Sequence, residues 1–227
     1  MFLAADRREL AGLLRFCRNV GTLSLPVHWA RTGILNGKSI LAVANGAGSE
    51  RAALAVDAAQ SLGALDGVCN TGFCGALDPA LAIGDIFVAT AIRAGDSHFA
   101  ALAPATAAPY SRGVLASIDH VAQTADEKRS LRLSGASVVE MEAAGVASKA
   151  SALGVPFYCV RAVSDLASET FACDFNAALR DDGQFDIMRL LTSAIRKPRQ
   201  FGELLRLQRR CEVASRNLGE FIAGCQF

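Results

Sequence analysis

The chain contains 227 residues, of which 52% are hydrophobic and 20% are charged, and its formal net charge is +1 at pH 7. This apolar content is ample for a folded core and excludes an intrinsically disordered chain. The near-neutral charge gives no general reason to expect a nucleic-acid partner. Because no Pro/Gly/Ser-rich linker or internal repeat interrupts the sequence, we expect a single domain over residues 1–227.

The cysteines and the apolar runs bear on the redox setting and on membranes. Seven cysteines are scattered along the chain without a Cys-x-x-Cys pair, so neither a disulfide framework nor a zinc site is predicted. Charged residues from Asp6 onward leave no room for the apolar region of a signal peptide. No uninterrupted apolar run approaches the roughly 20 residues of a membrane-spanning helix, and we therefore expect a cytoplasmic protein.

Strand and helix signals alternate from the start of the chain. Residues 8–18 predict a helix, residues 39–45 a buried strand and residues 49–62 a second helix. This alternation continues for most of the length and favours an α/β fold around a mixed, largely parallel sheet. Gly46 and Gly48 follow the strand, and free backbone N–H groups there could face an anion or a ligand hydroxyl. A simple tight turn explains the two glycines equally well.

A second strand end with glycine lies within residues 68–77. Asn70 and Thr71 precede Gly72, and a turn at Asp78 leads to the next strand. Polar side chains beside glycine at a strand end suggest that the backbone comes close to a ligand there.

Two glutamates mark a later junction between a strand and a helix. The apolar residues 136–139 predict a strand, and the alanine-rich segment from Ala143 onward predicts a helix. Glu140 and Glu142 fall between the two and point the same way if the strand pattern holds there. They either belong to a site or are solvated acids that are favourably placed at a helix amino terminus.

The buried strand predicted at residues 156–163 contains one charged residue, Arg161. A guanidinium inside such a strand is costly unless it is ion-paired, so we predict a carboxylate beside it. Ser164 and Asp165 follow at the carboxyl end of the strand, where open parallel α/β sheets bind their ligands. The alternative is that these residues only cap a turn.

The remaining segments carry weaker signals. His28, His98 and His120 lie apart without metal-ligand spacing, so structural or surface roles are predicted for them. Apolar or small residues recur every three or four positions over residues 199–225, which predicts an amphipathic helix. Residues 196–216 contain seven Lys or Arg and two Glu, a net charge of +5. The helix either packs on its own domain or meets a partner helix or an anionic membrane surface.

Four motifs, in this order, resemble those of the purine nucleoside phosphorylase and methylthioadenosine/S-adenosylhomocysteine nucleosidase superfamily. They occupy residues 70–72, 84–86, 140–144 and 161–165, and the similarity extends over residues 2–191. The resemblance implies a three-layer α/β/α sandwich that cleaves the N-glycosidic bond of a nucleoside without a metal or an organic cofactor. It also implies a homo-oligomer, and we expect a homodimer.

The resemblance also implies roles for individual residues. Breaking the bond between ribose and purine requires protonation of the base and a nucleophile on the opposite side of the sugar. Asp165 matches the acid that protonates or hydrogen-bonds purine N7, and Ser164 would support either Asp165 or the base. Glu142 matches the residue that grips the ribose hydroxyls, and Met141 matches the residue that packs against the sugar. Further substrate contacts are expected at Gly48, Thr71, Gly72, Phe73, Val121 and Glu140.

The nucleophile is either water or phosphate. Hydrolytic members carry a water-activating glutamate shortly after the first strand, and Glu9 stands at the matching place. Phosphorolytic members have Arg and Ser where this chain has Asn70 and Phe73, and both differences favour water. Arg7 and Arg8 keep phosphate as the alternative, because guanidinium groups suit that anion. The leading hypothesis is therefore hydrolysis of a purine nucleoside, most simply one of adenine.

Two departures from the family pattern bear on the substrate. Phe73 replaces a serine, and Val121 stands where an aromatic ring normally stacks on the purine, although backbone contacts at Val121 could survive. These changes leave open an enzyme similar to the hopanoid-associated branch, which acts on an adenosyl group joined to a hydrophobic chain. Phe73 and the basic, amphipathic segment 199–225 fit that alternative, and the segment would then contact a membrane. A non-catalytic nucleoside-binding protein is the third alternative, which the set of Glu9, Glu142 and Asp165 disfavours.

Overall fold

The computed structural model describes residues 1–195 and 197–227, and within them the chain forms ten strands and seven helices. The strands are β1 (Phe2–Ala4), β2 (Arg18–Thr22), β3 (Trp29–Leu35), β4 (Lys38–Ala44), β5 (Val68–Ala76), β6 (Ile86–Ala94), β7 (Ser97–Ala100), β8 (Ser111–Ser117), β9 (Val138–Glu140) and β10 (Phe157–Asp165). The helices are α1 (Arg7–Leu14), α2 (Ser49–Gln60), α3 (Ala125–Leu133), α4 (Ala143–Leu153), α5 (Phe175–Ala178), α6 (Ile187–Ile195) and α7 (Pro198–Ala223).

These strands form one mixed sheet, as predicted. β4, β1, β5 and β10 pair in parallel in that order, and β6, β8 and β9 form a second parallel run. The pairing of β5 with β10 also closes a circuit that runs through β9, β8 and β6. This circuit brings the carboxyl ends of β5 and β10 side by side.

The sheet is less parallel than predicted, because β2, β3 and β4 form antiparallel hairpins and β6 also pairs antiparallel with β7 and β10. The tight turn between β3 and β4 uses Asn36 and Gly37, both at positive φ, which suits a two-residue hairpin loop. The predicted first helix is shorter than residues 8–18, because Arg18 already pairs with Ile34 in the β2–β3 hairpin. Buried strands of either direction have the same apolar pattern, so the sequence could not distinguish them.

Different helices cover the two faces of the sheet. Leu3 packs in one core with Val56 of α2 and Val146 of α4, whereas its neighbour Phe2 packs in the other core with Leu218 of α7. Adjacent strand residues face opposite sides, so a single short strand contributes to both cores. The helices on either side of the sheet make the three-layer α/β/α arrangement that the family resemblance implies.

The C-terminal helix α7 is present, and its second half packs on its own domain. Leu218 and Phe221 are buried in the core that α1 also covers. At Gly12 and Gly219 the two helices cross so closely that a Cβ on Gly219 would lie 2.1 Å from the Gly12 carbonyl carbon. The apolar face of the second half of α7 is therefore buried within the domain.

The beginning of α7 and the preceding α6 are different, because several of their large apolar side chains are exposed. These are Ile187, Met188, Leu191, Ile195, Phe201 and Leu205. Arg196, which belongs to the basic segment noted above, lies outside the described residues. No helix in the described ranges combines the length and the apolarity needed to cross a membrane.

Candidate active site

Parallel pairing of β5 and β10 places the two predicted strand-end motifs next to each other. Arg161 lies opposite Gly72, and Asp165 lies opposite Gly75 after a register shift that follows Val163. A Cβ on Gly75 would lie 2.9 Å from Asp165 Oδ1, so a side chain there would press on this carboxylate. The glycines of β5 thus leave space for charged side chains of neighbouring elements.

Glu9 enters this region from the first turn of α1. Its Oε2 accepts a hydrogen bond from the Asp6 N–H at 2.8 Å, as part of a capping box, and its Oε1 accepts one from the Phe73 N–H at 2.7 Å. A Cβ on Gly72 would lie 2.5 Å from Glu9 Oε1, and Gly72 itself has a φ of +140° that favours glycine. Burial raises the pKa of the Glu9 carboxyl, although nearby Arg161 opposes that shift.

Arg161 is fully buried and holds several of these groups together. Its Nη2 forms an ion pair with Glu140 and donates to Asn70 Oδ1, and its Nη1 donates to the Thr71 carbonyl oxygen at 3.2 Å. Glu142 Oε2 lies 3.6 Å from the same Nη2. The predicted carboxylate beside Arg161 is therefore confirmed, and two of them are present.

Glu140 and Glu142 use their oxygens differently. Glu140 accepts hydrogen bonds from the N–H groups of Glu142 and Ala143 at 2.9–3.0 Å, so it also caps the start of α4. Glu142 Oε1 accepts one from the Gly48 N–H at 3.1 Å, which connects α4 to the glycine turn before α2. The pKa of Glu142 is raised well above its usual range, mainly by burial and to a smaller extent by the adjacent Glu140 carboxylate. Glu142 thus retains more capacity for a ligand hydroxyl than Glu140 does.

Asp165 is 7% exposed and has two side-chain partners. Ser164 Oγ donates to Asp165 Oδ2 at 2.9 Å, as the predicted support for this residue. Lys128 of α3 forms an ion pair with Asp165 Oδ1 and also donates to the Leu166 carbonyl oxygen at 2.8 Å. Lys128 gave no signal in the sequence, because a lysine within a run of charged residues has the pattern of a solvated helix face.

Backbone groups of Val121 are already bonded within the chain. The Val121 N–H donates to Asn176 Oδ1 at 2.8 Å, and Asn176 Nδ2 donates to the Val121 carbonyl oxygen at 3.0 Å. The carboxamide of Asn176 therefore occupies both backbone groups of Val121, where backbone contacts with a purine were expected. Asn176 gave no signal in the sequence, since asparagine at the start of a short helix is common.

The remaining predicted site residues are Thr71 and the two candidate phosphate ligands, Arg7 and Arg8. Thr71 Oγ1 is buried and has no hydrogen-bond partner among the described residues. Arg7 and Arg8 are exposed at the start of α1, and Arg8 donates through Nε and Nη2 to the Asp6 carboxylate at 3.0 Å. The Arg8 guanidinium is thus engaged away from the buried cluster.

An open cavity of about 700 Å³ adjoins the site. Gly48 and Met141 line it together with Arg51, His120 and Arg180, whereas Glu9 and Asp165 do not. The cavity therefore borders the site on the side of Met141 and Gly48, and its lining does not include the Glu9 and Asp165 carboxylates. In the described parts of the chain, no group of three or more His, Cys, Asp or Glu is arranged to hold a metal ion.

The arrangement separates two carboxylates with different partners. Glu9 touches β5 at Gly72 and Phe73, and Asp165 lies beside Gly75. Two carboxylates can cleave a glycosidic bond together, one as a base toward water and one as an acid toward the leaving group.

Comparisons with curated proteins find relatives of similar length. The chain is 27% identical over 197 residues to a 5'-methylthioadenosine/S-adenosylhomocysteine nucleosidase of Pseudoalteromonas translucida, covering 74% of this chain and 84% of the relative. It is 26% identical over 219 residues to the protein of the same name from Shewanella baltica, covering 83% and 93%.

Solved structures share the fold. A 5'-methylthioadenosine/S-adenosylhomocysteine nucleosidase from Neisseria meningitidis, in complex with methylthio-immucillin-A, superposes with a TM-score of 0.73 at 22% identity, covering 98% of this chain and 96% of that chain. A futalosine hydrolase mutant of Helicobacter pylori has a TM-score of 0.73 at 18% identity, with the same coverage. The model of the phosphorylase superfamily matches residues 3–101 and 98–196, most of the sequence. The chain therefore belongs to the phosphorylase superfamily.

Proposed function

We propose that this protein is a nucleosidase that hydrolyses the N-glycosidic bond of a purine nucleoside, most simply one of adenine. The observation that carries the proposal is the pair of buried carboxylates, Glu9 and Asp165, at opposite ends of the glycine-containing segment of β5. The names and coverage of the curated relatives support the same reaction.

In the proposed reaction, Glu9 accepts a proton from water as the water oxygen bonds to C1' of the ribose. The bond between C1' and the purine nitrogen breaks, and Asp165 supplies the proton that N7 takes up. Glu9 can accept this proton although both of its oxygens accept backbone hydrogen bonds, because each carboxylate oxygen has a second lone pair. A raised pKa makes the buried Glu9 carboxylate a stronger base.

Substrate positioning is assigned to the residues around this axis. Glu142 would accept hydrogen bonds from the ribose hydroxyls, and Met141 would pack against the sugar. Thr71 Oγ1 supports the proposal because a buried hydroxyl without a protein partner can bind the attacking water. Gly72 and Gly48 keep the backbone free of side chains at this place.

The test measures release of free base from adenosine, methylthioadenosine, S-adenosylhomocysteine, inosine and an adenosyl-lipid analogue, each with and without phosphate. We expect release without phosphate, with free sugar as the second product. Glu9→Gln and Asp165→Asn should each reduce kcat by about 10²–10⁴-fold, the usual contribution of a general acid or base. Glu212→Gln, at an exposed position of α7, is the matched control and should remain active.

The pH dependence gives an independent check on Glu9. A base must be ionised, so kcat/KM should fall as the pH decreases through the Glu9 pKa. Burial raises that pKa, which places the fall above the usual range for glutamate. Strict dependence on phosphate, with sugar 1-phosphate as product, would instead favour phosphorolysis. Tight nucleoside binding without turnover would favour a binding protein.

A lipid-linked adenosyl substrate is the second candidate, because α6 and the first turns of α7 expose large apolar side chains. Met188 is 68% exposed and Ile195 is 76% exposed, and the flanking Lys197, Arg199 and Arg206 are cationic. This combination suits peripheral contact with an anionic membrane. We propose that the contact is made by α6 and the start of α7, since the second half of α7 is buried in the core.

The oligomeric state is a separate proposal. We expect a homodimer, and analytical ultracentrifugation of the purified protein measures it.

A further inference from the structure

Lys128 is the buried residue of α3 and is only 1% exposed, although its neighbours Glu127 and Arg129 face solvent at least in part. A lysine is seldom buried to this extent unless its ammonium is paired. Its ammonium forms an ion pair with Asp165 Oδ1, donates to the Leu166 carbonyl oxygen at 2.8 Å and lies 5.2 Å from the centre of the Phe171 ring. Nothing in the proposed reaction so far uses this cation.

The ion pair fixes the orientation of the Asp165 carboxyl group. Lys128 holds Oδ1, and the Ser164 hydroxyl donates to Oδ2 at 2.9 Å. A carboxyl group that is held at both oxygens has a defined direction, as a group that transfers a proton to a bound substrate requires.

Other titratable groups near the pair are neutral or engaged elsewhere. Burial raises the pKa of Cys74 on β5 well above its ordinary value and that of Cys211 on α7 to about 12, so both thiols are uncharged at neutral pH. Glu169, which follows β10, is paired with Arg210 of α7 at 2.7 Å. The Lys128 ammonium is therefore the charge in direct contact with Asp165.

We propose that Lys128 is a positioning residue for N7 protonation: it holds the Asp165 carboxyl group in one orientation. The inference rests on the proposed hydrolysis. Lys128 does not touch the substrate in this mechanism. Its effect passes through the carboxyl group of Asp165, which makes and breaks the bond to the proton.

The experiment compares kcat and KM for the wild type, Lys128→Met and Lys128→Arg with the substrate found active in the base-release panel. Lys128→Met should lower kcat by about 10–10²-fold, because a misplaced catalytic group loses its geometry with the reacting atom. KM should change much less, because Lys128 does not touch the substrate. Lys128→Arg keeps a cation beside Asp165 and should recover most of the lost kcat.

Lys149→Met is the matched control, since Lys149 pairs with Asp57 at a partly exposed position between α4 and α2. It should leave kcat and KM unchanged. A folded Lys128→Met variant with the kcat of the wild type would overturn the inference. An equal loss of kcat and of melting temperature in Lys128→Met and Lys128→Arg would also overturn it and leave Lys128 with a structural role. If Lys128→Met does not fold, a kcat of Lys128→Arg as low as that of Asp165→Asn would overturn the inference. Absence of base release from the wild type would refute the proposed function instead.

Discussion

Replacing Arg161 by methionine removes the guanidinium at the centre of the buried carboxylate cluster while keeping an unbranched side chain. The change leaves Glu140 with an uncompensated charge at 7% exposure and removes the nearest cation from Glu142 and Glu9. Removing one partner of a buried ion pair typically costs about 3–5 kcal/mol. For a domain of this size, each kcal/mol lowers the melting temperature by about 2–4 °C. We therefore expect Arg161→Met to melt about 6–20 °C below the wild type near neutral pH.

The pH dependence of this loss tests the cause. Burial raises the folded-state pKa of Glu9 and of Glu142, so protonation of these carboxyls favours folding. That contribution is present at low pH and is lost as the pH rises through the folded-state values. Arg161 offsets the loss by stabilising the charged forms. Without Arg161 the penalty should therefore grow as the pH is raised and shrink as it is lowered.

Thermal unfolding followed by circular dichroism at several pH values measures this effect. Arg132→Met is the matched control, because Arg132 pairs with Asp78 at 2.8 Å in a partly exposed position. Such a pair contributes about 0–1 kcal/mol, so the control should melt close to the wild type. An Arg161→Met variant as stable as the control, with the same loss at every pH, would refute the view that charge compensation holds the cluster together.

Two further predictions concern substrate binding and membranes. If the purine bonds to the backbone of Val121, it competes with the Asn176 carboxamide for the same groups. Asn176→Ala should then lower KM for the active nucleoside, with a smaller effect on kcat. An unchanged or raised KM would show that the backbone of Val121 does not bind the base. In the second prediction, the wild type should sediment together with anionic vesicles, whereas a Met188→Ser/Ile195→Ser variant should stay in the supernatant. Leu133 is 84% exposed on α3, and the control variant Leu133→Ser should bind the vesicles as the wild type does. Equal binding of all three proteins, or none by any, would exclude the α6–α7 contact.

Local patterns in the sequence were sufficient for the α/β class, for most elements and for the partner of Arg161. The buried strand around Arg161 required a carboxylate, because a lone guanidinium cannot be buried cheaply, and Glu140 fulfils that requirement. These inferences depend on properties that a short segment carries by itself.

Lys128 and Asn176 were decided only by the tertiary structure. Lys128 lies in the sequence 37 residues before Asp165, and Asn176 lies 55 residues after Val121. Neither separation is a period of a helix or a strand, so no local pattern connects the partners. The packing of α3 beside the end of β10 brings Lys128 to Asp165, and the position of α5 brings Asn176 to Val121. Residue types and their local spacing determined which elements form and which charges need partners, whereas long-range packing decided which partner each charge received.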